Sequence, residues 1–219
     1  IKLKKNIILR ITDVLLAKGE HKNSITFLDS VYNIYQTQEI KNKLVEVHLF
    51  SGNPDTALSI INETFSLITP VNSSFNDLME IRDIINYYYT DVDDPAKKAF
   101  KQFLKAEYLL KQRKISEASQ LLNHTIDNNS AIKIIPLISL RRAILLLKMK
   151  KFDQALNQIV SIENSSLSDK SIIMAGQIYE QVYNDNEKAM EYYMRIINKY
   201  TNSIYFEPVR YHIRMLNNS

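Results

Sequence analysis

Small residues recur along this chain at a spacing that few folds can accommodate. Ser24, Ala57, Ala118, Ala155 and Ala189 lie 33, 61, 37 and 34 positions apart. Each opens an amphipathic segment after an apolar helix end and a short polar turn. Those ends read Leu15-Leu16-Ala17-Lys18-Gly19, Leu49-Phe50-Ser51-Gly52, Leu109-Leu110-Lys111, Leu145-Leu146-Leu147 and Val182-Tyr183-Asn184. Three of the four steps fall near the ~34-residue period of a helix-turn-helix repeat, and the long one leaves room for an extra or irregular helix. A small side chain is needed where two antiparallel helices cross near their shared turn, because a large one would push them apart. The facing helix then needs a small residue of its own. Ala106 and Ala143 lie 12 before Ala118 and Ala155, whereas Ala175 lies 14 before Ala189, which predicts a half-turn insertion around residues 181–184.

The flanks carry helical periodicity. Phe100, Phe103, Ala106 and Leu110 form one stripe of a 3.6-residue period, and Leu137, Leu140, Ala143 and Leu147 repeat it one unit later. Ser51-Gly52-Asn53-Pro54 ends one helix and places Pro at the start of the next. Asp93-Asp94-Pro95 reads as a helix start with Asp as N-cap. Asn128-Asn129-Ser130 and Asn164-Ser165-Ser166 are polar breaks. The pattern predicts helices at 2–18, 22–36, 39–51, 54–68, 74–90, 95–113, 115–128, 131–150, 152–163, 168–184, 186–200 and 203–217. With only 3 Gly and 5 Pro, a turn-rich β-sandwich or a phosphate-cradling α/β enzyme is disfavoured. The expected fold is all-α, an α-solenoid of stacked antiparallel helical hairpins. Its expected organisation is N-terminal hairpins over 1–70, an irregular connecting helix over 71–94, three hairpins over 95–201 and a C-terminal capping helix over 202–219.

The chain has no Cys, which excludes disulfides, thiolate zinc sites and a cysteine nucleophile and leaves the compartment open. It opens on Ile1 rather than Met, so it is expected to start inside a longer protein, with any signal peptide upstream. No apolar run approaches the ~20 residues that span a bilayer, and the piece reads as soluble. The net charge of +4 is a weak argument for nucleic acid.

These residues resemble the tetratricopeptide repeat family, most closely the divergent repeats of bacterial cell-envelope proteins. The likeness is best in Asn186-Glu187-Lys188-Ala189-Met190-Glu191-Tyr192-Tyr193 and Ile196-Ile197-Asn198-Lys199-Tyr200-Thr201-Asn202-Ser203. Tyr205, Arg210, Ile213, Arg214 and Leu216 then resemble the terminal capping helix. Thr201 stands where the family usually has Pro, and Lys105 and Arg142 stand where many repeats are apolar. Pro208 falls in the first turn of the last helix, where it is tolerated. The resemblance implies a right-handed superhelix with a concave groove for an extended or helical peptide, or a platform in a larger assembly. It implies no catalytic residues, and it points to the periplasm or cell envelope, with the cytoplasm as the alternative.

Residues that could carry chemistry read mostly as structural. Among His21, His48, His124 and His212, only His124 with Asp127 approaches a ligand pair, and such i, i+3 pairs are common on solvated surfaces. Glycine-loop, HExxH, GxSxG and dinucleotide motifs are missing. Asp93-Asp94, and Asp13 with Glu20, read as caps and solvated charge. Lys97, Lys98, Lys101 and Lys105 line one helix, and Arg141, Arg142, Lys148, Lys150 and Lys151 mark the equivalent one. They could bind an acidic peptide or phosphates, but Glu107, Glu117 and Asp153 interrupt them, which favours a solvated face. Tyr87, Tyr88, Tyr89, Tyr108, Tyr179, Tyr183, Tyr192 and Tyr193 read as core packing with hydroxyls reaching water, or else as a binding surface. Three consecutive Tyr cannot share one helix face, so at least one is expected outside. Ile7, Ile8, Ile11 and Leu15 form the apolar face of the first helix and are expected to pack on preceding repeats, if there are any.

The expectation is therefore a non-catalytic interaction scaffold with a protein or peptide partner in its concave groove, no cofactor, no metal and no small-molecule substrate. A basic repeat module for nucleic acid and a non-catalytic part of an enzyme complex are the alternatives.

Overall fold

The computed structural model describes residues 2–128 and 132–216, and every regular element among them is a helix. One compact unit runs to Ile134. It holds α1 (Lys2–Ala17), α2 (His21–Tyr35), α3 (Gln38–Phe50), α4 (Pro54–Phe65), α5 (Phe75–Tyr88), α6 (Asp94–Lys111) and α7 (Ile115–Asn128). The other starts at Ile135. It holds α8 (Ile135–Lys148), α9 (Phe152–Val160), α10 (Ser168–Gln181), α11 (Asn186–Lys199) and α12 (Phe206–Leu216). Within the units α1 pairs with α2, α3 with α4, α6 with α7, α8 with α9 and α10 with α11. The long step of the repeat contains α5, which packs on α4 and α6, and α12 packs on α11.

Each hairpin closes through one kind of turn. Five positions before the small residue the backbone is left-handed, at Gly19 (φ 87°), Gly52 (φ 78°), Arg113 (φ 62°), Lys150 (φ 58°) and Asn184 (φ 52°). In the first four, the next amide reaches back five residues to a helix-end carbonyl, as from Glu20 N to Leu15 O at 2.9 Å. This satisfies carbonyls that the helix end would otherwise leave open. In the fifth, Asp185 N reaches six residues back to Tyr179 O at 2.9 Å. That turn is one residue wider, where the spacing predicted half a helical turn.

The extra residue changes which side chain faces α11. Ser24, Ala57, Ala106, Ala118, Ala143, Ala155, Ala175 and Ala189 are all fully buried, as helix crossings require. Ala175, however, clusters with Ala143, Ile159 and Ile178, on the side of α9. Its neighbour Gly176 faces α11 instead, where a Cβ would meet Tyr193 Cε1 at 2.6 Å.

Several helices are shorter than the periodicity predicts. α4 stops at Phe65 because the Thr64 and Ser66 hydroxyls donate to Ile60 O at 2.8 Å and Glu63 O at 2.7 Å, an alternative to continuing the helix. α9 stops at Val160 in the same way, with Ser161 donating to Gln158 O at 2.8 Å, and α10 stops at Gln181 before its wide turn. α8 starts at Ile135 because Pro136 is compatible only with a first turn. α12 starts at Phe206. Ser203 donates to Asp169 Oδ2 at 2.6 Å and accepts from Tyr205 N at 3.2 Å, ordering the turn that Thr201 would otherwise leave loose. The predicted polar break at Asn129-Ser130, the start of a helix at 131 and its counterpart's end at 217 lie outside the described residues.

A second regularity governs how hairpins stack. On α3, Ile40, Leu44 and Val47 lie 17, 13 and 10 residues before Ala57 and pack with Leu28 of α2. On α10 the matching residues, shifted by one for the wider turn, are Ser171, Ala175 and Ile178, all buried, with Ala175 and Ile178 packed beside Ile159 of α9. On α1 they are Ile7, Ile11 and Val14, exposed by 49%, 41% and 54%. The expected apolar face of α1 is thus corrected at two positions. Ile8 turns inward beside Leu16 and Leu28, and Val14 joins the outer stripe.

Candidate functional site

In the second unit, the first helix of one hairpin and the helix that follows it leave a groove between them. Ile173, Met174 and Gln177 of α10 form one wall and Tyr205, Pro208 and Val209 of α12 the other. Tyr193 of α11 lies beneath, and the cavity has a volume of about 380 Å³. Gly176 makes the space in which the Tyr193 ring lies, 2% exposed. The Tyr193 hydroxyl donates to Glu180 Oε2 at 2.6 Å, and His212 Nε2 lies 2.9 Å from the same oxygen. The His212 ring meets the Tyr193 ring edge-on at 5.3 Å.

The electrostatics follow from this contact. Burial pushes the Glu180 carboxyl upward, but the hydrogen bonds from Tyr193 and His212 outweigh it and hold the group below the usual carboxylate range. Burial first, then the hydrogen bond to Glu180 and the charge of that carboxylate, push the Tyr193 phenol well above its ordinary value. An apolar floor with Gln177, Gln181, Lys170 and His212 at its rim can take an apolar side chain and hydrogen-bond the backbone that carries it.

The sequence-selected residues are dispersed. His21 packs edge-on against Tyr108 at 5.6 Å, and burial lowers the pKa of His48 against the pull of Asp29. His124 meets Asn128, whereas Asp127 accepts from Asn123 at 2.8 Å, so those two do not converge. Asp93 accepts from Ala96 N at 2.9 Å as the N-cap of α6, with Asp94 the first helical residue. Asp13 pairs with Lys43 at 2.6 Å, and Glu20 accepts from Asn23 at 2.9 Å.

The basic residues differ in setting. Lys97, Lys98, Lys101 and Lys105 line one depression on α6. On α8, Arg142 donates to Gln158 at 2.6 Å and Arg141 is half-buried, whereas Lys148, Lys150 and Lys151 are exposed. Glu117 pairs with Lys114 at 3.9 Å.

Of the three consecutive tyrosines, Tyr87 is exposed and carries Lys133 over its ring, Tyr88 is half-buried and Tyr89 is buried. Tyrosine hydroxyls expected to reach water reach carboxylates instead: Tyr89 donates to Asp55 at 2.8 Å, Tyr183 to Asp153, and Tyr193 to Glu180. Burial and the Asp55 contact push Tyr89 up to about 12. Tyr108 stacks on Phe50 at 5.6 Å, and Tyr179 stacks on Tyr192 at 5.5 Å.

Sequence reading passed over Glu180, Met174 and Gln177. Its available signal was spacing: polar partners recur about one repeat apart, as in Glu180–His212, Asp169–Ser203 and Glu163–Arg195.

A family model described as a tetratricopeptide repeat-like domain matches residues 71–217. No curated protein matches the chain in sequence. A solved structure from the functional characterization of Pseudomonas aeruginosa pilF is similar over 94% of this chain and 96% of that chain, at 14% identity and a TM-score of 0.42. Among the described residues no helix is long and apolar enough to cross a membrane.

Proposed function

Because this chain belongs to the tetratricopeptide repeat-like family, we propose that it is a non-catalytic protein-interaction scaffold whose α10–α12 groove takes a peptide partner. The observation that carries this reading is the groove's make-up. Its floor is apolar and fixed, since Tyr193 is held by Glu180 and wedged on Gly176, and preformed apolar pockets with a polar rim suit peptide side chains. Glu180, Tyr193 and His212 are spent on one another, which supports a structural rather than a chemical role for them. The division into N-terminal hairpins over 1–70, a connecting helix over 71–94, three hairpins over 95–201 and a cap over 202–219 is part of the same proposal. So is a place in a larger assembly at the cell envelope, which the resemblance of residues 186–203 supports.

The test is selection of peptides from a random display library on the immobilised chain, followed by affinity measurement on Gln177→Trp. Gln177 is exposed on the groove wall, so Trp fills the groove without touching the core. Selected peptides should carry an aliphatic or aromatic anchor and lose about tenfold or more in affinity, which is about 1.4 kcal/mol or more. Peptides that bind the variant as tightly as the parent would remove the groove from consideration.

A further inference from the structure

The first helix of one hairpin, α6, breaks the stacking pattern. Positions that carry Ile40 and Leu44 on α3, and Ile7 and Ile11 on α1, carry Lys101 and Lys105 on α6. On α3 that face is covered by α2. On α8 the matching cation, Arg142, turns onto Gln158. On α6 the face is an open depression of about 430 Å³ lined by Lys97, Lys98, Lys101 and Lys105, with Gln102 among them and Asp94 at one end.

Lys98, Lys101 and Lys105 are exposed, and none of the four lysines forms an ion pair among the described residues. Lys97 and Lys101 extend over the Tyr89 ring at 5.8 and 5.7 Å, and that ring is fixed by its hydrogen bond to Asp55.

The cluster also runs against local preference. Lys97, Lys98 and Lys101 occupy the first two turns of α6, where the helix dipole favours anions. Lys97, Lys101 and Lys105 follow one another at i, i+4, where like charges repel. Local rules broken where no ion pair among the described residues compensates for them mark functional positions.

We propose that this face of α6 is a docking site for an acidic peptide segment, seated where a preceding second helix covers the same face of α3. It extends the scaffold reading to a second surface, in the other compact unit. Charge complementarity selects the partner: four cations along roughly 12 Å of helix, at about 1.5 Å per residue, meet a short run of carboxylates. Surfaces that bind single-stranded nucleic acid add open aromatic platforms for base stacking. Here the ring beneath the lysines, Tyr89, is 6% exposed and covered by them, so the face offers charge without stacking.

The test uses the full chain, a fluorescein-labelled Glu-rich peptide and a labelled thymidine oligonucleotide of equal charge, titrated at low and moderate salt. The triple variant Lys98→Glu, Lys101→Glu, Lys105→Glu is compared with a charge-matched control, Lys148→Glu, Lys151→Glu, Lys199→Glu, all at exposed positions. Circular dichroism checks that helicity is kept, and a triple Gln variant of the α6 lysines serves if the reversed charges unfold the helix. The peptide should bind the parent and the control alike, lose about tenfold or more on the α6 variant, and weaken with salt. Equal loss on both variants reduces the effect to net charge and overturns the proposal, as does absence of peptide binding. Tighter binding of the oligonucleotide than of the peptide overturns it in favour of nucleic acid. Gln177→Trp should leave acidic-peptide binding unchanged, so failure here and failure of the groove reading are read separately.

Discussion

At the scale of single residues, Gly176 shows how one atom decides the geometry of a crossing. Alanine is the better helix former by about 1 kcal/mol, yet a Cβ here would meet Tyr193 Cε1 at 2.6 Å. The ring has nowhere to move, because its hydroxyl is held by Glu180. Overpacking of this kind costs about 1–3 kcal/mol. Gly176→Ala should therefore lower stability in urea denaturation, and adding Tyr193→Leu should restore much of the loss; a stabilised single variant would refute the crowding. Glu180 makes the second prediction. A carboxyl whose pKa falls on folding stabilises the fold above its ordinary value of 4.5 and gives that up as pH drops through its lower folded value. Glu180→Gln should be less stable than the parent at neutral pH, with the two converging in acid. A difference independent of pH would mean that the carboxylate charge is not what Tyr193 and His212 hold.

Helices and turns pose a different balance. All five hairpins place a left-handed residue at the same position, but only Gly19 and Gly52 are glycines. Side-chain residues there carry about 1–2 kcal/mol of steric cost, part of which glycine's greater freedom in the unfolded chain cancels. Arg113→Gly should thus raise stability by up to about 1 kcal/mol. Gly52→Ala should lower it by up to about 1 kcal/mol for the same reasons, since a methyl group at this position would meet nothing within 4 Å and no new contact adds to the backbone effect. Thermal denaturation of the two variants should show opposite shifts of Tm. Shifts of the same sign would mean that the left-handed geometry is not what limits these turns.

For the molecule as a whole, stacked hairpins contact mainly their sequence neighbours, and disturbance should spread accordingly. Ala155 is fully buried between α8 and α9, and leucine there overpacks the crossing by about 1–3 kcal/mol. Hydrogen exchange of Ala155→Leu should show lost protection centred on α8 to α10 and least in α1 and α2. Uniform loss across all helices would mean that the chain opens as one cooperative block.

Much of this organisation could be read from residues near one another in the chain. Helix periodicity, the Asp93 cap, Pro54 at a helix start and the buried Ser24, Ala57, Ala118, Ala155 and Ala189 all reflect interactions within a helix or across one turn. Those interactions span few residues, so their spacing survives in the linear pattern. Long-range packing settled the rest. Gly176 rather than Ala175 faces α11 because the turn between the helices is one residue wider. Val14 rather than Ile8 faces outward because the helices that α1 packs on, α2, α3 and α6, lie on its inner side. The α10–α12 groove and the open lysine face of α6 depend on which helix covers which, through contacts made some thirty or more residues apart, as Glu180 with His212 is by 32. Periodicity states which positions share a helix face; only the neighbouring helix, present or missing, makes that face a core, a groove or a docking surface.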